Sequence, residues 1–223
     1  MPWRSGGARR ASCRWLAPIS PPLATLHCDL VFNLYAATGR EQALVAALLE
    51  LTGLPYTGSA PLGHFLARNK HCAKAIWRDK GLPTPRSFEG ELPSPADFPV
   101  IVKPARGGSG EVVDASSVIH DQAGLARHLA RMEQRFAPLL VEQYIPGQEL
   151  TVGLLGDPVR ALPTLEVAFD RLAPGLPPIY GFEAKIRFAE WVEERQAALP
   201  ADVDAEVQRI SWEAFVALEQ ALR

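Results

Sequence analysis

A lysine, a run of small residues and two carboxylates are the groups in this sequence best suited to chemistry. Lys103 follows Val100-Ile101-Val102, an apolar run flanked by Pro99 and Pro104 that reads as a buried strand too short for a helix. Arg106-Gly107-Gly108-Ser109-Gly110 comes directly after. Glycines there let backbone N–H groups crowd a ligand without interference from Cβ, and successive N–H groups in such a turn make an anion nest. A lysine at the strand end adds a mobile point charge suited to phosphate. Strand, lysine and glycine turn form a candidate polyphosphate cradle. It is not a Walker P-loop, because no Gly-Lys-Ser/Thr closes the glycine run. A flexible hairpin turn accounts for the same residues without a ligand.

Leu139-Leu140-Val141-Glu142-Gln143-Tyr144-Ile145 reads as a second strand, and Pro146-Gly147 turns the chain. From Gln148 to Leu155 the pattern alternates, with Leu150, Val152 and Leu154 on one face and Glu149, Thr151 and Gly153 on the other. Gly156-Asp157-Pro158 turns again. The outcome is a strand and a hairpin that carry carboxylates at Glu142 and Glu149. Exposed hairpin charges are the plain alternative for both.

Together these stretches resemble the ATP-grasp fold, and within it the D-alanine–D-alanine ligase family. Phe32-Asn33-Leu34, the run Gly53-Leu54-Pro55-Tyr56-Thr57-Gly58-Ser59, and Glu183-Ala184-Lys185 match that branch in the same order, so the likeness runs over roughly residues 29 to 222. The resemblance implies an α+β, ATP-grasp-like protein whose two α+β lobes hold ATP between them. It divides the chain into a basic, proline-rich extension (1–27), a remnant of an N-terminal Rossmann-like substrate domain (28–60), a first lobe (61–140) and a second lobe (141–223) incomplete at its C-terminus.

The resemblance also assigns roles. Glu142 and the main chain of Gln143, Tyr144 and Ile145 would read the adenine edge, with Ile145 and Leu154 as apolar walls. Glu149 would accept from the ribose hydroxyls. Lys70 and Lys103 would hold the α- and β-phosphates while Gly108 and Ser109 close over them. Lys185 would meet the transferring phosphoryl group, which makes Lys185 and Ser109 the candidate catalytic residues. For Lys70, helix chemistry alone favours a solvated lysine, because a cation near a helix N-terminus opposes the dipole. For Lys185 a plain surface lysine is the alternative.

The elements that must position these groups can be read in part. Asp29 to Leu34 is expected as a short strand, and Glu41 to Leu51 as a helix with Leu44, Leu48 and Leu51 at i, i+4, i+7 beside Val45. Ser59 is a candidate cap before Pro61, and Asn69 before a helix running through Ile76 and Trp77 to Gly81-Leu82-Pro83. Asp121 caps a helix with Leu125, Leu129, Met132 and Phe136 on one face, while Arg127, Arg131 and Arg135 form a solvated stripe. Residues 167 to 184, with Tyr180, resemble the family's lid. Val203 to Leu222 is expected as a helix.

Composition sets wider bounds. At 223 residues, 48% hydrophobic and 22% charged, the chain reads as a soluble globular protein of one large or two small domains. A net charge of −2 creates no global field for nucleic acid or an anionic membrane. No apolar run approaches the ~20 residues of a membrane span. Cys13, Cys28 and Cys72 form no CxxC, as expected of free thiols in a reducing cytosol. The five histidines show no metal-ligand spacing.

Departures from the family pattern matter as much. Residues 1 to 27 contain no glutamate, where the family holds one for the first substrate's ammonium. Asn33-Leu34-Tyr35-Ala36-Ala37-Thr38-Gly39-Arg40-Glu41 stands where many members carry His-Gly and Gly-Glu. Asn69-Lys70 replaces Asp-Lys, and the phosphate loop lacks the glutamate and second serine of Arg-Glu-Gly-Ser-Ser. The family's Mg²⁺ is held by an Asp and a Glu-x-Asn, yet the only asparagines are Asn33 and Asn69, neither two residues after a glutamate. The expectation is therefore an ATP-dependent carboxylate–amine ligase working through an acyl phosphate and catalytically incomplete in this chain. Its metal ligands are expected to be absent. The alternatives are another amino-acid or peptide ligase of the same fold, or a non-catalytic ATP-binding module. The partners implied are ATP and a small amino acid, in cytoplasmic peptidoglycan (cell wall) synthesis, without nucleic acid or membrane; a homodimer is allowed.

Overall fold

Capping chemistry sets where the site-bearing helices begin. The computed structural model describes residues 27–35, 41–107, 112–172, 178–181, 184–185 and 192–221. Pro61 occupies the first turn of helix α2 (Pro61–Ala67), whose cap is Ala60 rather than the expected Ser59. Asn69 caps α3 (Lys70–Asp79), its side-chain oxygen accepting from the Cys72 N–H. Asp121 does the same for α4 (Gln122–Phe136) through the Gly124 N–H. Asn69 and Asp121 each satisfy a donor that the first helical turn leaves without a partner, whereas Ala60 has no side-chain acceptor.

The first sheet has the order β2-β1-β3 and is antiparallel throughout, built from β1 (Val100–Pro104), β2 (Val118–Ile119) and β3 (Leu139–Gln143). The second strand thus ends two residues short of the expected Ile145, and β1 runs on through Pro104. Val102 pairs with Val141, Lys103 with Leu140 and Ile101 with Glu142. Side chains alternate across a strand, so Val100, Val102 and Val141 share one face. There they pack with Phe88, Ile119, Leu125 and Leu129 of α4. Lys103 and Glu142 are consequently neighbours on the opposite face.

The second sheet, order β4-β7-β8, joins β4 (Glu149–Thr151), β7 (Leu165–Ala168) and β8 (Glu193–Gln196). A separate hairpin pairs β5 (Leu154–Leu155) with β6 (Arg160–Ala161). The single strand expected over Gln148 to Leu155 is therefore two, each with its own partner. The lid expected over 167–184 begins inside a paired strand: Val167 is buried with Ala184 and Val192, against Phe169 and Tyr180. Residues 173–177 and 182–183 lie outside the described residues.

The last described helix, α5 (Ala201–Glu219), starts close to where periodicity predicts and packs on α2, α3 and the β6 hairpin. Trp77 donates its indole N–H to the Ala214 carbonyl at 3.0 Å, and Trp212 donates to that of Val159 at 3.1 Å. Gly63 sits so close to α5 that a Cβ there would lie 1.8 Å from Glu219 Oε1.

Two expectations near the start of the chain change. Asp29 to Leu34 forms a single parallel bridge, Val31 to Tyr56, in place of a strand, because among the described residues only 55–57 run alongside it. No Rossmann-like remnant is thereby established. Helix α1 (Glu41–Thr52) forms, but Ala43, Ala46 and Leu49 face inward. Leu44 and Leu51 of the expected stripe are 52% and 85% exposed. A helix that is apolar nearly all round carries no phase for periodicity to read, and small alanines allow the close approach of α2.

Candidate functional site

Four lysines and two glutamates meet beside the end of β1. Glu142 and Lys74 are 4% and 3% exposed. Glu142 Oε2 lies 2.8 Å from Lys74 Nζ, and its Oε1 is ion-paired with Lys103 Nζ. Lys74 also donates to Thr84 Oγ1 at 2.9 Å and to the Pro85 carbonyl at 2.5 Å. Lys103 is the member that opens outward, its side chain 26% exposed. A carboxylate this deep is stable only with such partners.

Lys70 opens α3 without being a solvated helix-start lysine. Its ammonium donates to the carbonyls of Pro104 at 2.9 Å and Gly107 at 3.1 Å, and its own N–H to Ala105. Burial, seconded by the Lys103 and Arg68 charges and opposed by Glu142, brings its pKa down to about 8. The glycine turn is tied in as well. Gly107, at φ +91°, donates its N–H to the Arg68 carbonyl, and Asn69 bridges to Arg106. A positive φ of that size is one that glycine adopts without strain. Gly108 and Ser109 lie outside the described residues.

The second sheet supplies Glu149. Glu149 is exposed on β4, yet partial desolvation by its neighbours pushes its carboxyl above the ordinary range, against the Tyr180 backbone N–H that donates to it and the Lys185 and Lys103 charges. Lys185 stands with its Nζ 5.0 Å from the centre of the Tyr180 ring. Lys103 therefore sits within electrostatic reach of Glu142, Glu149 and Lys70, which links the two sheets at one locus. Among the described residues positive charge exceeds negative there, which favours an anion.

The strand edge differs from expectation. The Gln143 N–H goes to the Arg86 carbonyl and the Tyr144 N–H to that of Pro99. Both are taken by the chain itself, and the Val141 carbonyl accepts the Phe88 N–H; among the described residues no backbone partner takes the Ile145 N–H. Ile145 presents an apolar side chain that is 60% exposed. Glu142 also changes character, since both its oxygens are held by ammonium groups.

Lys74 was not foreseen. Its signal lay in the i, i+4 spacing from Lys70 on one helix, which places the two on one face. Among the described residues no group of three or more His, Cys, Asp or Glu side chains is placed to hold a metal ion. No described helix is long and apolar enough to cross a membrane. A cavity of about 760 Å³ between α3 and α5 shares no residue with the lysine cluster.

Comparison with known proteins places this geometry. The family described as "D-ala D-ala ligase C-terminus" matches residues 76–221. The D-alanine--D-alanine ligase of a Synechococcus species is 34% identical over 167 residues, covering 71% of this chain and 49% of that protein. That of Oleidesulfovibrio alaskensis is 34% identical over 212 residues, covering 92% of this chain and 65% of that protein. This chain thus spans from about half to just under two thirds of the length of those curated relatives. The crystal structure of D-alanine--D-alanine ligase from Bacillus anthracis complexed with ATP aligns with a TM-score of 0.63 at 23% identity, over 86% of this chain and 60% of that one. At that identity the likeness speaks for the fold, which is ATP-grasp.

Proposed function

Because this chain belongs to the D-alanine–D-alanine ligase family, we propose that it holds ATP between its two sheets and serves ATP-dependent ligation of a small amino acid. The observation that carries the reading is the convergence of Lys70, Lys103 and Glu149 on one locus. Lys70 and Lys103 take the α- and β-phosphates. Gly108 and Ser109, which follow Gly107 in sequence, would contact them. Glu149 accepts from the ribose hydroxyls. The Ile145 N–H and the carbonyls of Gln143 and Tyr144 meet the adenine edge, with Ile145 and Leu154 against the ring. Glu142 does not read the base; it aims Lys103.

Lys185, in electrostatic reach of Glu149, would meet the transferring phosphoryl group. In the reaction, a carboxylate oxygen of the amino acid attacks the γ-phosphorus, the bond to the β-phosphate oxygen breaks, and ADP leaves. An amine then attacks the acyl carbon and expels inorganic phosphate, losing a proton. The protein's share is positioning and neutralisation of phosphate charge. In the family's proteins Mg²⁺, when bound, neutralises phosphate charge; among the described residues no group of three or more His, Cys, Asp or Glu side chains is placed to hold it. D-alanine is the first substrate to try, and the product would feed cytoplasmic peptidoglycan synthesis.

Phosphate release is measured with ATP, Mg²⁺ and D-alanine, alongside ATP binding by calorimetry. D-alanine-dependent release supports the ligase reading, and release with other amino acids alone moves the assignment to another ligase of this fold. ATP binding without release under any amino acid marks a nucleotide-binding module. Absence of ATP binding overturns the proposal.

A further inference from the structure

Lys74 carries a charge in the interior that no ligand-binding role accounts for. An ammonium has three donors, and all of Lys74's are spent inside the protein, on Glu142, Thr84 and the Pro85 carbonyl. It cannot reach a nucleotide. A buried ion pair of this kind is a poor source of stability, since apolar residues of similar volume often stabilise as well or better. Its use must lie in what it does to its neighbours.

Glu142 is shared between two ammonium groups, with Lys74 on one oxygen and Lys103 on the other. Were Lys74 neutral, Glu142 and Lys103 would form a closed pair with no net charge. With Lys74 charged, the trio keeps one positive charge, and the outward-facing Lys103 is where an anion can meet it. The Thr84 and Pro85 contacts also anchor the chain from Lys74 through Glu142 to Lys103, whose ammonium acts on the neighbouring Lys70. We infer that Lys74 is a positioning residue that, through Glu142, keeps Lys103 aimed and the trio net positive for a triphosphate. This inference rests on the nucleotide reading of the site.

The test compares ATP with adenosine, which lacks the phosphates, by calorimetric titration of the full chain. Lys74→Met lowers ATP affinity about tenfold and leaves adenosine affinity unchanged; equal loss for both ligands means a merely structural role and overturns the inference. Adding Glu142→Gln to Lys74→Met frees Lys103 from its neutral pair, so ATP affinity recovers in part. A further loss in that double variant overturns the inference too. Should Lys74→Met fail to fold by circular dichroism, Thr84→Val keeps the ammonium and removes one anchor, and about a threefold loss for ATP alone is expected. No loss for ATP with Thr84→Val overturns the inference. Lys103→Met separates the two levels. If it leaves ATP affinity unchanged, the nucleotide reading falls and the role of Lys74 with it. If it weakens ATP binding while folded Lys74→Met does not, only the role of Lys74 falls.

Discussion

The two sheets contribute charge to the same locus in opposite ways. On the first, Glu142 and Lys74 are buried to within a few per cent and lie on the far face of a sheet whose other side is packed with Val100, Val102 and Leu125. On the second, β8 is exposed throughout, and its ion pairs, Arg195 with Glu166 and Asp170, and Arg171 with Glu193, lie at the surface. The smaller core under Glu149 holds Val167, Ala184 and Val192. Charge on the first sheet is thus tied to folding and, under the proposed function, to phosphate binding as well. Charge on the second can be changed with little cost to folding. The site is a rigid cation holder facing a more tolerant carboxylate.

This contrast can be broken by mutation. Glu142→Ala strips Lys74 of its buried partner and should cost about 3–5 kcal/mol of stability, read as a lower midpoint in urea unfolding. A midpoint close to wild type would mean that the pair is not buried as described. Gly181→Ala is the strongest expected effect from the second region. A Cβ there would lie 2.0 Å from the Val113 carbonyl, a backbone atom that cannot swing aside. Overpacking of this kind costs about 1–3 kcal/mol. ATP affinity should fall with it, because Gly181 stands beside Tyr180 and accepts the Lys185 N–H.

The pH dependence sharpens the first half of the comparison. Lys70 has a folded pKa lowered to about 8 from 10.5. Phosphate binding needs its ammonium, so ATP affinity should hold below about 8. Above it, affinity should fall by up to roughly tenfold per pH unit while Lys70 must regain its proton to bind. Lys70→Arg, which does not titrate in this range, should flatten that fall. A profile identical in wild type and Lys70→Arg would remove Lys70 from the phosphate site.

Glu149→Gln probes the other half. Partial desolvation raises the pKa of the exposed Glu149 carboxyl, so folding penalises the ionised form, weakly because solvent screens it, and stability falls slightly as pH rises through the raised value. Removing the charge should leave the urea midpoint at neutral pH no lower than wild type, while ATP binding weakens. Arg195→Ala, whose pairs are exposed, should change neither.

Much of the first sheet was legible in the amino-acid pattern. Val100-Ile101-Val102 between prolines could be little but a buried strand, and the Asn69 and Asp121 caps marked their helices. The face of α1 was not legible, since alanine and leucine alternate there without a polar side. Nor could pattern reveal that the chain at 86–88 and Pro99 take the Gln143 and Tyr144 N–H groups. Those partners are set by tertiary packing, not by local sequence. Within the site, Lys103, Glu142, Glu149 and Lys70 stood out by motif. Lys74 did not, because a lysine on a polar helix reads as surface until a buried carboxylate is placed against it. Glu142 stood out by motif, but not its pairing with two ammonium groups, for the same reason.

The central claim is that Lys103 from one sheet and Glu149 from the other grip one nucleotide. Calorimetric titration of ATP into Lys103→Met, Glu149→Ala and the double variant tests it most directly. Each single substitution should weaken ATP binding about tenfold, with Lys103→Met sparing adenosine and Glu149→Ala weakening it. Wild-type ATP affinity in either single variant would contradict it.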